Sequence, residues 1–295
     1  MNAPRRHEDT KARRKALGIL WRRGVLRSKT AGIIDGMLPV LTARAPMMRH
    51  AFVLLLALAS ANCRSARTTS LPTPAPPPAA ASASGAAAVP DSIKWVRTSA
   101  EYVAAFEQTY RLATARIETE SRTHAAGSWA VILDADETVL NNSLYQEERA
   151  RVGLGFSEES WAAWVKRREA TPLPGVATFL ARVHQLGGRI AIVTNRLQSV
   201  CPDTEAVFAR YQLVYDAMLC RIDGTPSDKN PRFQAVAAGR TPAGSSSLDV
   251  VAYVGDNILD FPGLSQSVRA QGAAALADFG SRFFLLPNPM YGSWQ

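Results

Sequence analysis

The chain has 295 residues, 47% of them apolar, and a formal charge of +9, enough length for one large domain or two small ones. The charge is unevenly placed: fourteen of the 34 basic residues but only three of the 25 acids precede Asp91, so residues 91–295 carry 20 bases against 22 acids. A slightly acidic body excludes the nucleic-acid polymer that the overall basic balance first suggests as a partner.

In chain order, Met47-Met48-Arg49-His50 stands before an apolar run, 51–59, too brief to span a bilayer. Small residues follow it, then Cys63. This pattern predicts an export signal over 47–62, with 1–46 either a mis-assigned start or an extended Arg-rich leader. Cys63 is the candidate lipidation site and the sole expected membrane attachment, giving a location in the cell envelope: periplasm or, through the lipid, outer membrane. Cleavage after Ala61 is the alternative and would release a soluble exported protein. The Pro/Ala/Ser-rich stretch 63–90 cannot bury enough surface to offset its ordering entropy and is expected to be a tether.

From Asp91 the pattern changes. Apolar and aromatic positions at helical spacing predict one long helix over 94–120. Residues 129–133 form a continuous apolar run, the mark of a strand buried on both faces of a parallel sheet. Similar runs at 189–193, 217–220 and 250–254, with a fifth candidate at 282–286, alternate with helical stretches around 176–186, 203–212 and 229–238. Alternation of this kind predicts a doubly wound, mostly parallel α/β sheet. Residues 138–173 are the exception, with two aromatic-rich helical segments and no strand, and they are expected to form a small helical cap inserted after the first strand.

Ligands of open α/β sheets bind where the strands end, and polar clusters fall at those ends. Asp134-Ala-Asp136-Glu-Thr138 follows the first strand, Thr194-Asn195-Arg196 the second, Lys229 comes after the third, and Gly255-Asp256 with Asp260 follows the fourth. Carboxylates held close together repel unless a cation intervenes or a proton is kept. A hard, oxygen-seeking ion such as Mg²⁺ among phosphate groups answers that need. Asp260 by itself reads equally well as a turn or cap residue. Glu137 is expected to be a solvated turn residue, His184 a helix-end cap, and His124 lies far from any strand end. Cys201 and Cys220 could pair in an oxidising compartment, but the expectation is two semi-buried thiols.

These clusters, taken in order, resemble the four motifs of haloacid dehalogenase phosphatases. Trp95–Tyr102, Asp134–Ser143, Val193–Arg196, Tyr253–Asn257 with Asp260-Phe261, and the tail Leu286-Pro-Asn-Pro-Met-Tyr-Gly292 are similar to a narrower family, the class C acid phosphatases, which include lipoprotein 5′-nucleotidases. The resemblance covers 95–295 and makes 91–295 the expected phosphatase domain. Asn141 departs from it, where Asp is expected.

It implies a Mg²⁺-dependent phosphomonoesterase acting on small phosphomonoesters, nucleoside monophosphates among them. Asp134 would be the nucleophile and Asp136 the acid and base. Asp134, Asp256 and the Asp136 carbonyl would hold the metal. Thr194, Asn195 and Lys229 would bind phosphate, and Asp260 would orient Lys229 or a metal-bound water. Tyr145, Trp161, Trp164 and Tyr291 are candidates for stacking on a base, although tryptophans at helical spacing more often serve the core. The alternatives are a catalytically silent binding protein on the same fold, and a phosphomutase.

Overall fold

The computed structural model describes residues 88–242, 244 and 246–295. The expected leader, export signal and Cys63, and the tether up to residue 87, lie outside the described residues. Among the described residues, no helix is long and apolar enough to cross a membrane.

Five parallel strands form the central sheet in the order β5-β4-β1-β6-β7. They are β1 (Trp129–Leu133), β4 (Arg189–Leu197), β5 (Ala217–Arg221), β6 (Asp249–Gly255) and β7 (Phe283–Leu285). Every residue of β1 is buried, because β1 lies in the middle of the sheet and helices cover both faces. Its side chains alternate between two apolar clusters. Trp129, Val131 and Leu133 pack with Phe106, Tyr110, Phe179 and Leu180, which belong to α2 (Ala100–Glu120) and α5 (Val176–Gln185). Ala130 and Ile132 pack on the opposite face with Phe233 and Val236 of α7 (Asn230–Ala237). The α/β reading therefore holds.

Three local expectations are corrected. The long first helix is two helices, α1 (Asp91–Thr98) and α2, because Ser99 is extended and its side chain accepts from the Tyr102 N–H as an N-cap. The insertion after β1 has the two expected helices, α3 (Ser143–Arg151) and α4 (Glu158–Arg167). It also holds an antiparallel pair, β2 (Leu140–Asn141) with β3 (Thr171–Pro172), which closes its base. Cys201 and Cys220 are not separate thiols. They form a disulfide, with Cα atoms 6.2 Å apart, between the first residue of α6 (Cys201–Arg210) and β5.

Candidate active site

The C-terminal ends of β1, β4, β5 and β6 open into one cleft of about 650 Å³. Asp134 is the residue after β1, and its N–H donates to the Val254 carbonyl of β6 at 3.1 Å. The three strand-end acids Asp134, Asp256 and Asp260 can each place one carboxylate oxygen within 4.8 Å of the others. Gly255 allows this packing: a Cβ there would collide with the Asp260 side chain.

Lys229 reaches into the same floor from the start of α7. Its ammonium donates to Oδ1 of Asp134 and to Oδ1 of Asp260, both at 2.6 Å. Burial works against that charge, but the two carboxylates outweigh it and hold the lysine protonated. Burial also pushes the Asp134 carboxyl up to about 7, with Asp260 and Asp136 adding to the effect and Lys229 opposing it. Asp256 is raised well above the usual carboxylate range by burial, then by the Asp260 and Asp134 charges. One ammonium among three converging carboxylates leaves the floor short of positive charge. The donors are all hard oxygens, so the set fits a hard divalent cation.

The side chain of Asp136 is directed elsewhere. Its Oδ1 accepts from Arg196 Nε at 2.9 Å, Arg196 Nη2 at 2.7 Å and Asn142 Nδ2 at 2.9 Å. Asp260, and not the Asp136 carboxylate, is therefore the third side chain of the acid cluster. Arg196 is almost fully buried and its Nη2 also donates to Asn142 Oδ1. Arg196 and Asn142 stand in the quoted motifs, but the chemistry of the motif residues alone assigned them no role.

Glu137 corrects a second expectation. It is not solvated: it is buried at φ 52°, accepts from the Asn142 N–H at 2.8 Å and takes a hydrogen bond from the Tyr291 hydroxyl. Burial, then the Asp136 and Asp256 charges, raises its carboxyl well above the usual range. This contact ties the C-terminal tail to the strand-1 loop. Asn288 ties the same tail to the end of β6 by donating to Asp256 Oδ2 at 2.8 Å.

Thr194 is completely buried, and its hydroxyl accepts from the Arg196 N–H at 3.1 Å. Asn195 lines the cleft and accepts from Arg232 Nη2 at 2.6 Å, while Arg232 Nη1 donates to the Thr194 carbonyl. Asn141, the departure from the family pattern, accepts from the Ser143 N–H and packs locally within the cap. His184 does sit at the end of α5, where it pairs with Asp216 at 2.8 Å. His124 bonds to Asp249 on an outer surface.

The aromatic candidates divide. Tyr145 and Trp164 are buried in the cap core, with Trp164 Nε1 donating to Asn142 Oδ1 at 2.9 Å. Trp161 and Tyr291 line the cleft, joined by Phe156, which the sequence reading passed over. Phe156 is 64% exposed and lies 6.2 Å from Trp161, centroid to centroid.

Two solved structures of the class C acid phosphatase from Bacillus anthracis, one with tungstate bound, match this chain at 29% identity and a TM-score of 0.61. Each match covers 69% of this chain and 85% of the other. Residues 47–294 match the family described as HAD superfamily, subfamily IIIB (acid phosphatase). The chain is a member of that family of phosphoric monoester hydrolases.

Proposed function

We propose that the chain hydrolyses small phosphomonoesters, nucleoside 5′-monophosphates among them, through a phosphoryl group carried transiently on Asp134. The contact that carries this reading is the 2.6 Å bond between Lys229 and Asp134 at the floor of an aromatic-walled cleft. Asp134 would be the nucleophile, splitting one displacement into two. Asp136, held by Arg196 and Asn142, would give a proton to the departing alkoxide and later take one from the attacking water. Lys229, the Asn195 side chain and the Thr194 hydroxyl would bind the non-bridging oxygens, where positive charge and donors favour the transition state.

A divalent ion, Mg²⁺ in this reading, would be held by Asp134, Asp256 and the Asp136 carbonyl, with Asp260 beside it. When bound it supplies positive charge that favours ionised Asp134 and neutralises phosphate oxygens. Phe156, Trp161 and Tyr291 offer π-faces on which a nucleobase could stack. The tungstate bound by the Bacillus anthracis protein is an oxyanion, as phosphate is, which supports an anion-binding reading of this chain.

The test is phosphate release from nucleoside and aryl monophosphates, with Mg²⁺ and with a chelator. Activity should require the metal and vanish in Asp134→Asn. An Asp134→Asn protein with full turnover would refute the nucleophile. The apolar pattern before Cys63 supports export to the envelope, and mass spectrometry of the mature N-terminus separates a lipidated Cys63 from cleavage after Ala61.

A further inference from the structure

Arg221 is the last residue of β5 and lines the cleft with Asp134, Asn195 and Lys229. In the sheet register it faces Leu197, two residues beyond Asn195 on the neighbouring strand. Parallel strands lie about 4.8 Å apart, so Arg221 stands one strand over from Asn195 and two residues further out, within the same cleft.

Arg221, which lines the cleft, and Arg232, which bonds to cleft residue Asn195, are held very differently. Arg232 is locked by Thr194, Asn195, Ser227 and Asp228. Arg221 has a single partner among the described residues: its Nη2 donates to Glu158 at 2.8 Å, and its buried Nε has no acceptor. A buried guanidinium donor without a partner is unusual and costly. Glu158 is 67% exposed in its side chain, so its hold on Arg221 is weak and screened. It also lies in the cleft wall, at the start of cap helix α4.

From this arrangement we infer that Arg221 is a specificity-determining residue. It receives a second anionic group carried by the leaving group of the substrate, which takes the place of Glu158 and engages the free Nε. The favoured substrates are then phosphomonoesters with a further phosphate on the departing alcohol. Planar bidentate recognition by arginine suits such a group. The Cys201–Cys220 bridge anchors the position, because Cys220 immediately precedes Arg221 and Val200, beside Cys201, lines the same wall.

The inference rests on the phosphomonoesterase reading above. The experiment compares adenosine 3′,5′-bisphosphate with adenosine 5′-monophosphate, following release of the 5′-phosphate, with an aryl monophosphate as the reference ester. In the wild type kcat/KM should favour the bisphosphate by about tenfold, mainly through KM, as one charged hydrogen-bonded contact commonly gives. Arg221→Gln should bring the ratio close to one, Arg221→Lys should restore part of it, and Glu158→Gln should raise it. Raising the salt concentration should lower the wild-type preference. A wild-type ratio of one or below overturns the inference, as does an Arg221→Gln enzyme that keeps the preference. Should Arg221→Gln fail to fold, Glu158→Gln and the salt dependence decide: a ratio unmoved by both overturns it. Failure to release phosphate even from the aryl ester would instead overturn the phosphomonoesterase reading itself.

Discussion

Lys229 Nζ lies 2.6 Å from Oδ1 of Asp134, although 95 residues separate them in the chain. Both side chains are buried, and the same ammonium holds Asp260 at an equal distance. Lys229→Met therefore leaves two buried carboxylates without their counter-ion. We expect a loss of about 3–5 kcal/mol in urea unfolding of the metal-free protein, as for other broken buried pairs. Turnover should drop by a factor on the order of 10²–10³, the usual effect of losing one transition-state donor.

Arg196 fixes Asp136 through two nitrogens on one carboxylate oxygen. A lysine cannot reproduce that planar fork. Arg196→Lys should lower kcat by roughly 10–100-fold, the scale of a lost supporting contact, with a smaller change in KM. Steady-state kinetics on an aryl phosphate checks this, and an unchanged kcat would separate Arg196 from the acid–base role.

The disulfide joins cysteines 19 positions apart in the sequence. Replacing Cys201 and Cys220 together by serine should lower stability by about 3 kcal/mol, since closing a loop of that size restricts the unfolded chain by about this amount. Denaturant titration of the variant against the oxidised wild type measures it.

Asp216 joins Arg189 Nη1 and the Ile190 N–H at the start of β4 to His184 Nε2 at the end of α5, each at 2.8 Å. Burial tends to raise its carboxyl, but the Ile190, Arg189 and His184 hydrogen bonds outweigh it and hold it below 3.8. A lowered carboxyl stabilises the fold above its unfolded value and loses that contribution as pH falls through the folded one. Asp216→Asn should thus cost on the order of 1 kcal/mol at neutral pH. The difference from wild type should shrink on titration below pH 3.8, as thermal melts across the acid range will show.

The sheet was legible because parallel strands covered on both faces leave unbroken apolar runs, as in 129–133, and strand ends point to the cleft. What the sequence concealed depends on partners far along the chain. Glu137 reads as a turn acid; its burial follows from Asn142 and from Tyr291, 154 residues away. Asp136 reads as a companion of Asp134 until Arg196 pulls its carboxylate aside. The break at Ser99 was signalled by an N-cap residue, but the continuing apolar spacing on either side masked it. Trp161 and Trp164 share one helical pattern, and only the packing of α4 on the cap core sends one to the cleft and the other to Asn142.

Rapid quenching of the enzyme during turnover of a phosphate-labelled ester, followed by peptide mapping, tests the central chemistry most directly. The label should appear on the peptide bearing Asp134, and Asp134→Asn should show neither label nor turnover. A quenched wild-type enzyme that releases phosphate in a pre-steady-state burst while no label ever reaches that peptide would contradict the account.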